Sequence, residues 1–361
     1  MSVPAARAAR LAAALAEADL DGLLVTGRLD VRWLTGFTGT NGACLVAGDR
    51  RLFLTDFRYL EQAADQVGDG FEIVRAGRDL LGELAAAAPS GRIGFDDTEV
   101  TVRAHRRLAE KAGATVELVA VGPLVAGLRE VKDASEIERI AAAAELATTA
   151  FEEAVVGPGL AGRTERAVAF DLEHAMRRAG AEDVAFPSIV AAGAHGALPH
   201  AVPRDVEIAP GELVTVDWGA RLDGYCSDCT RTLASGGRPL GERAREIYEL
   251  VLDAERTALA EVAPGIGCAA LDGVARAVIE AAGHGERFGH GLGHGVGLEV
   301  HESPHVSPRS EDTLAADEVV TIEPGVYLPG ELGVRIEDLV VVEEQGCRNL
   351  SGLPKDLQLV E

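Results

Sequence analysis

Gly289-His290-Gly291-Leu292-Gly293-His294-Gly295-Val296-Gly297-Leu298-Glu299-Val300-His301-Glu302 places three histidines among five glycines. Glycine at every second position removes side chains and lets neighbouring backbone approach closely. A small ligand or a metal ion is the expected reason for that crowding; the alternative is a glycine-rich surface loop with incidental histidines. The stretch has no G-x-G-x-x-G register, and no G-x-x-x-x-G-K-[ST] occurs in the chain, so nucleotide phosphate is not the ligand it suggests. The search therefore turns to carboxylates that could complete a metal site.

Leu213-Val-Thr-Val-Asp217-Trp-Gly219 ends an apolar, strand-like run on an acid. An aspartate there is costly to bury unless it is paired or holds a metal. Eleven residues on, Tyr225-Cys-Ser-Asp228-Cys-Thr-Arg-Thr232 sets a second acid in a second run. Asp223-Gly224 between them is a hairpin-turn signal that would bring Asp217 and Asp228 side by side. Val319-Val-Thr-Ile-Glu323-Pro-Gly325 and Val334-Arg-Ile-Glu337-Asp-Leu-Val-Val-Val342 repeat the pattern. Arg335 and Glu337 share one strand face, whereas Glu337 and Asp338 point opposite ways, so only one of that pair can join a common site. Either aspartate alone could be a salt-bridged or edge-strand acid. Four acids in apolar runs, together with the Gly/His stretch, make one constellation. Four carboxylates and one imidazole carry about −4, the charge two divalent cations neutralise. Oxygen-rich ligation with one imidazole suits Mn(II), Co(II) or Zn(II), and hard ligands favour Mn(II).

The rest of the composition narrows the class. The 361 residues are 47% hydrophobic and 25% charged, as in soluble globular chains. With 34 basic against 58 acidic residues the net charge is −24, which argues against nucleic acid or an anionic membrane as partner. Five scattered cysteines (Cys44, Cys226, Cys229, Cys268, Cys347) form no disulfide framework and suit a reducing cytoplasm. Cys226-Ser-Asp-Cys229 is a single C-x-x-C without a second pair, a weak zinc or redox signal. No run of about 18 apolar residues marks a membrane span. Glu17, Asp19 and Asp21 interrupt the N-terminal Ala/Leu run before it could serve as a signal segment.

Along the chain, residues 1–125 alternate helix and strand signals. Helices are expected at 4–18, 58–66, 79–88 and 101–112, strands at 22–26, 71–75, 92–95 and 115–121, and a hairpin at 44–55, with an aromatic, turn-rich stretch at 33–42. This is an α/β layer. Val121-Gly-Pro123 marks a joint, and the domains are set at 1–125 and 126–361. Asp133-Ala-Ser-Glu136 is a capping box that opens an Ala-rich helix over 133–157; a second helix covers 164–179. Strands at 188–192, 213–218, 222–233, 318–323 and 335–342, with helices at 241–262 and 268–282, make the remainder α+β and largely antiparallel.

These motifs, V-D-W-G at 216–219, Y-C-S-D-C-T-R-T at 225–232, the Gly/His stretch at 289–302, T-I-E-P-G at 321–325 and V-R-I-E-D at 334–338, closely resemble the pita-bread metallopeptidases. The branch they resemble is the Xaa-Pro aminopeptidase and Xaa-Pro dipeptidase (prolidase) group. W-L-T-G-F-T-G-T-N-G at 33–42 and T-D-F-R-Y at 55–59 look like the creatinase/prolidase-type N-terminal domain. The resemblance implies an α/β N-terminal domain followed by an α+β pita-bread (creatinase/aminopeptidase) catalytic domain. It implies two divalent cations, with Asp217 chelating one, Asp228 and Glu337 bridging both, and His294 and Glu323 completing the second. It gives His301 a bond to the substrate carbonyl or tetrahedral intermediate, and places His200 and His290 in the pocket wall. Arg335 would hold the site or contact product, and Glu323 would shuttle a proton to the leaving nitrogen. The resemblance fixes no role for His195, whose plain reading is an exposed side chain. The reaction implied is hydrolysis of a peptide before a proline in second position, by an aminopeptidase or, as the alternative, a dipeptidase. A metal-free binding protein on the same fold is the remote alternative, which the complete ligand set opposes. The resemblance also implies a homodimer. Phe37 is then either an arm into a neighbouring subunit's pocket or, as is ordinary, a core ring.

Overall fold

The computed structural model describes residues 2–68 and 70–361. They form two compact units, one up to Arg129 and one from Glu130 to Glu361. No helix among the described residues is long and apolar enough to cross a membrane.

In the first unit the strands are β1 (Gly22–Val25), β2 (Gly42–Ala47), β3 (Arg50–Thr55), β4 (Glu72–Arg75), β5 (Gly91–Phe95) and β6 (Val116–Ala120). They make one sheet in the order β4-β3-β2-β1-β5-β6, antiparallel at its centre and parallel at both edges. The expected hairpin is β2–β3, closed tightly with Ala47 opposite Arg50. The helices are α1 (Val3–Glu17), α2 (Arg28–Thr35), α3 (Leu60–Gln66), α4 (Leu80–Ala86), α5 (Val102–Lys111) and α6 (Leu124–Glu130). Helix α1 buries Ala8, Leu11 and Leu15, the i, i+3, i+7 stripe of an amphipathic helix. Helix α2 was not visible in the sequence, where its residues read as irregular. It is only eight residues long, begins after Gly27 and ends on Gly36 in the left-handed region (φ 83°). Tertiary contacts sustain so short a helix: Val31, Trp33 and Leu34 are buried, and Asp30 accepts from Arg129 at 2.8 Å. Phe37 is a core ring, 4.8 Å from Phe53 and edge-on to Tyr59.

The second unit repeats one motif, a helix pair over an antiparallel sheet. Helices α7 (Ala134–Phe151) and α8 (Glu165–Arg178) share a core with β8 (Ile189–Ala192), β9 (Leu213–Trp218), β12 (Cys229–Ser235) and β20 (Leu359–Val360), which are ordered β20-β12-β9-β8. A small sheet of β7 (Asp183–Val184), β10 (Ala220–Leu222) and β11 (Tyr225–Cys226) adjoins it in sequence. Helices α9 (Glu242–Glu261) and α10 (Cys268–Ala281) share the other core with β13 (Gly293–Gly295), β14 (Glu302–Val306), β15 (Val319–Ile322), β18 (Asp338–Val342) and β19 (Cys347–Asn349), ordered β14-β13-β15-β18-β19. Strands β16 (Gly325–Leu328) and β17 (Leu332–Arg335) pair with each other.

The capping box of α7 is formed in full by Asp133 and Glu136. The helix expected to reach residue 157 changes at Phe151 into one π turn, Glu152–Val156, where Gly157 N donates to Glu152 O at 2.9 Å. Pro158 offers no N–H to continue the ladder, and the Arg163 guanidinium donates to Ala154 O at 3.0 Å. Trp218, at the end of β9, stacks on Phe151 of α7 with centroids 4.0 Å apart and donates its indole N–H to Ala147 O at 3.0 Å. That contact fixes the strand end on which Asp217 sits.

Candidate metal centre

The four expected acids stand where the chain passes from one sheet to another. Asp217 is the penultimate residue of β9, just before β10, and Asp228 lies between β11 and β12. Glu323 lies between β15 and β16, and Glu337 between β17 and β18. The sequence presented 222–233, 318–323 and 335–342 as unbroken runs; each strand in fact stops at or beside its acid. The β10–β11 turn is Asp223-Gly224 with φ of 48° and 81°, the paired left-handed conformation of a type I′ hairpin.

The two crossing hairpins are joined side by side. Asp217 is opposite Thr230 in the β9–β12 ladder. Thr230 Oγ1 donates to Glu337 Oε2 at 2.7 Å, and Glu337 N donates to Thr230 O at 3.1 Å. Thr232 Oγ1 donates to Arg335 O at 2.9 Å and accepts from Arg335 N at 3.1 Å. Asp338 points away, as strand alternation requires, and is buried against Arg231.

His294 enters from β13, which is squeezed between β14 and β15. A Cβ at Gly293 would lie 1.9 Å from Thr321 O, and one at Gly295 would lie 2.2 Å from Ser303 O. Gly293 and Gly295 therefore admit flanking backbone, and the stretch is no surface loop. His294 Nδ1–H donates to Gly295 O at 3.0 Å. Its Nε2 lone pair then faces Glu323 Oε1 at 3.5 Å and Asp228 Oδ2 at 3.7 Å. Burial holds this imidazole down at about 4, hence neutral as a metal ligand must be.

Asp228, His294 and Glu337 each offer a donor atom within 4.8 Å of the others. Asp217 Oδ2 accepts from Arg335 Nη2 at 2.7 Å, while its buried Oδ1 accepts from no group. Burial, then the charges of Glu337, Asp217 and Glu323, pushes the Asp228 carboxyl well up. Burial, then Glu323 and Asp217, does the same to Glu337. Burial raises Glu323 to about 8 against the pull of Arg335. Crowded, desolvated oxygens, an orphaned carboxylate atom and one neutral imidazole form the donor set that divalent cations take. Asp217, Asp228, His294, Glu323 and Glu337 could hold them.

Arg335 organises the other side. Besides Asp217 it donates to Thr230 Oγ1 at 3.1 Å, Tyr327 OH at 3.0 Å and Pro199 O at 3.4 Å. Tyr327 OH donates to His290 Nε2 at 2.9 Å, and His290 Nδ1–H donates to Gly291 O at 2.8 Å. Burial first, then the Arg335 charge, holds His290 at about 4. His301 lies edge-on to His294, centroids 4.4 Å apart. His200, His290, His301 and Arg335 all line the same cavity, of about 730 Å³, as the five acid and imidazole donors. His195, expected to be exposed, is not: its ring is 7% exposed and bonded to Glu165. Sequence inspection missed Tyr327 and His305, both in or beside this wall. His305 is opposite His294 in the β13–β14 ladder and four residues after His301, the signals that could have found it. Tyr327 was findable only as the second apolar-face position after Gly325.

The raised carboxyls make a pH prediction for metal-stripped protein. Between about 4.5 and about 8 the folded chain keeps a proton on Glu323 that the unfolded chain has released. Its stabilising contribution is therefore full below about 4.5 and lost as pH rises through about 8. Scanning calorimetry in chelator should show Tm falling over this range, and saturating divalent ion should remove the fall. A Tm that rises across it in chelator would contradict the crowded-carboxylate description.

Two helix-covered antiparallel sheets whose crossing hairpins point acids into one cavity define the pita-bread metallohydrolases. Residues 138–344 match metallopeptidase family M24, and residues 7–131 match the creatinase/prolidase N-terminal domain. The chain belongs to metallopeptidase family M24, and it is an enzyme of the metallo-exopeptidase class. It is 42% identical over 343 residues to the uncharacterized peptidase YqhT of Bacillus subtilis, covering 94% of this chain and 95% of that one. It is 38% identical to the Xaa-Pro dipeptidase of Pyrococcus furiosus over 67% of this chain and 68% of that one. Among solved structures it is similar to the Xaa-Pro dipeptidase from Bacillus anthracis (TM-score 0.94, 38% identity, 99% of each chain). It is also similar to the X-Pro aminopeptidase from Thermotoga maritima (TM-score 0.88, 38% identity, 95% and 98% of the two chains).

Proposed function

We propose that this enzyme is an Xaa-Pro aminopeptidase that hydrolyses the bond between an N-terminal residue and a following proline. The observation that carries the proposal is the buried set Asp217, Asp228, His294, Glu323 and Glu337 opening on an apolar-walled cavity. Its similarity to proteins named Xaa-Pro dipeptidase and X-Pro aminopeptidase supports a proline substrate. Those five residues would hold two divalent cations, Mn(II) before Co(II) or Zn(II). When bound, such ions supply Lewis acidity that lowers the pKa of a water and polarises a carbonyl.

The chain's own groups do the rest. Glu323, ionised once a cation is held beside it, would take the proton of the attacking water and return it to the leaving nitrogen. His301 and His200 donate to the oxygen on which charge develops. An imide nitrogen has no N–H, so proline cannot be selected through that donor. The wall of Phe186, Pro187, Ile189, Ala201, Val202 and Pro203 selects the ring by shape. What favours aminopeptidase over dipeptidase is the absence of a spare permanent cation: among the described lining residues Arg335 is the one such group, and Asp217 and Tyr327 occupy it. A dipeptide's carboxylate would meet imidazoles only. Four buried thiols and one partly buried one, all free, suit a reducing cytoplasm, and the chain is taken as a homodimer.

The test uses stripped protein reloaded with Mn(II), Co(II) or Zn(II), on an Xaa-Pro dipeptide and an Xaa-Pro-Xaa tripeptide, with a chelator control. Tripeptide cleavage with weak dipeptide turnover is the expected result. Strong turnover of the dipeptide alone would make it a dipeptidase, and metal-dependent cleavage of neither would remove the proline-peptide proposal.

A further inference from the structure

The segment from Ala192 to Arg204 brings Pro199, His200, Ala201, Val202 and Pro203 to the cavity, and its first half packs on β17, where a Cβ at Gly333 would lie 1.8 Å from Gly196 O. Leu198 and Val202 are 56% and 77% exposed. Its polar holds are mostly at its ends, and one side chain reaches both. Glu165, the first residue of α8, is 1% exposed and turns its carboxylate back towards the segment. At the near end, Glu165 Oε1 accepts from Ala192 N at 2.9 Å, and His195 Nδ1 lies 2.9 Å from each carboxylate oxygen. At the far end, Arg204 N donates to Oε2 at 2.9 Å, and the Arg204 guanidinium donates to both oxygens at 3.1 Å. Arg166 N, one residue further along the helix, donates to Arg204 O at 3.0 Å, which adds a second hold at the far end.

We propose that Glu165 is a positioning residue for catalysis: its carboxylate clasps Ala192 and His195 to Arg204, closes the segment into a ring, and so sets His200 over the cavity. Five hydrogen-bonded partners on one carboxylate exceed what helix capping needs, because Thr164 already caps α8. They also account for His195, which lines no part of the cavity. Besides the hold of Arg166 N at Arg204, the polar tether among the described residues is Arg335 Nη1 to Pro199 O at 3.4 Å, longer than any contact in the clasp. Without the Glu165 carboxylate, the stretch that carries His200 is held only by the packing of Gly196 on one side and by Arg166 N on Arg204 O on the other, a looser setting of His200 against the carbonyl it serves. Charge-assisted bonds to a buried carboxylate are among the stronger protein hydrogen bonds, and a displacement of about 1 Å at a reacting group costs about 10²-fold in rate.

The proposal rests on the role given above to His200, and the experiment separates the two. The variants are Arg204→Ala, which loosens one end of the ring by removing the guanidinium's two bonds, leaves the Arg204 backbone bonds in place and sits on a half-exposed side chain that the fold tolerates, Glu165→Gln, His200→Ala and the Arg204→Ala/His200→Ala double, all metal-loaded. Arg204→Ala should speed amide hydrogen exchange within 193–203 at least about tenfold, with exchange in α9 and α10 unchanged. It should lower kcat on the tripeptide about tenfold with little change in KM. In the His200→Ala background the same substitution should lower kcat less than about twofold, because the residue being positioned is gone. Glu165→Gln should lower kcat at least as far as Arg204→Ala, since its amide NH2 turns a donor towards N–H groups that a carboxylate oxygen accepts from. Unchanged exchange in 193–203, or an equal kcat loss in both backgrounds, would overturn the clasp. His200→Ala with normal turnover would overturn the role of His200, and the clasp's catalytic purpose with it.

Discussion

Asp228→Asn and Glu337→Gln are each expected to lower turnover of an Xaa-Pro peptide by at least about 10³, with the circular dichroism spectrum unchanged. A metal-held transition state is worth several kcal/mol, and each 1.36 kcal/mol is a factor of ten. Both acids belong to the donor cluster with His294, so an amide in either place removes a negative oxygen from the set that would hold metal. The fold should not suffer. Burial and neighbouring charge already push both carboxyls well up, so a neutral amide relieves a repulsion. Gln at 337 can still accept from Thr230 Oγ1. Metal-stripped Asp228→Asn should then melt no lower than metal-stripped wild type, the stability-for-activity exchange expected of a strained site. Steady-state kinetics with metal content by mass spectrometry reads both effects. Near-normal turnover with two bound ions would sink the ligand assignment.

Arg335→Met carries the second large effect, and its size should depend on metal. The guanidinium is fully buried and faces Asp217 at 2.7 Å, with Glu323 close enough to be felt. Removing one partner of a buried pair leaves an uncompensated charge and costs about 3–5 kcal/mol. Divalent cations would compensate the same carboxylates, so the loss in urea midpoint should be large in chelator and about half as large with saturating metal. An equal loss in both conditions would mean that Arg335 acts through Tyr327, Thr230 and Pro199, and not through the acids. In either condition His290 loses the Tyr327 geometry that Arg335 fixes.

The acids were legible because a carboxylate in an apolar run has few explanations, and Arg335 with Glu337 followed from strand alternation. The turn at Asp223-Gly224 was legible from local chemistry alone. What stayed hidden depends on distant neighbours. No local signal says that a strand stops at Glu323 or Ile336, because the stop is a change of partner strand. The alternate glycines around His294 were visible, but their cause was not, since Thr321 and Ser303 are remote in sequence. Helix α2 escaped because eight residues carry too few turns for a period to show. His195 reads as exposed in the sequence because its acceptor, Glu165, precedes it by 30 residues.

The placement of the acids at sheet crossings bears on the order in which the protein assembles. Neither hairpin can present a finished site alone, because Thr230 and Glu337 are 107 residues apart and Arg335 and Asp217 are 118 apart. Contacts of such separation close late, after local helices and hairpins have formed. Tight metal capture should therefore be among the last events of refolding, lagging the recovery of helical signal. A chain truncated before β17 should keep α7–α8 packing yet hold no ion tightly. The metal would thus select chains whose two halves have met, and draw the folding equilibrium towards them.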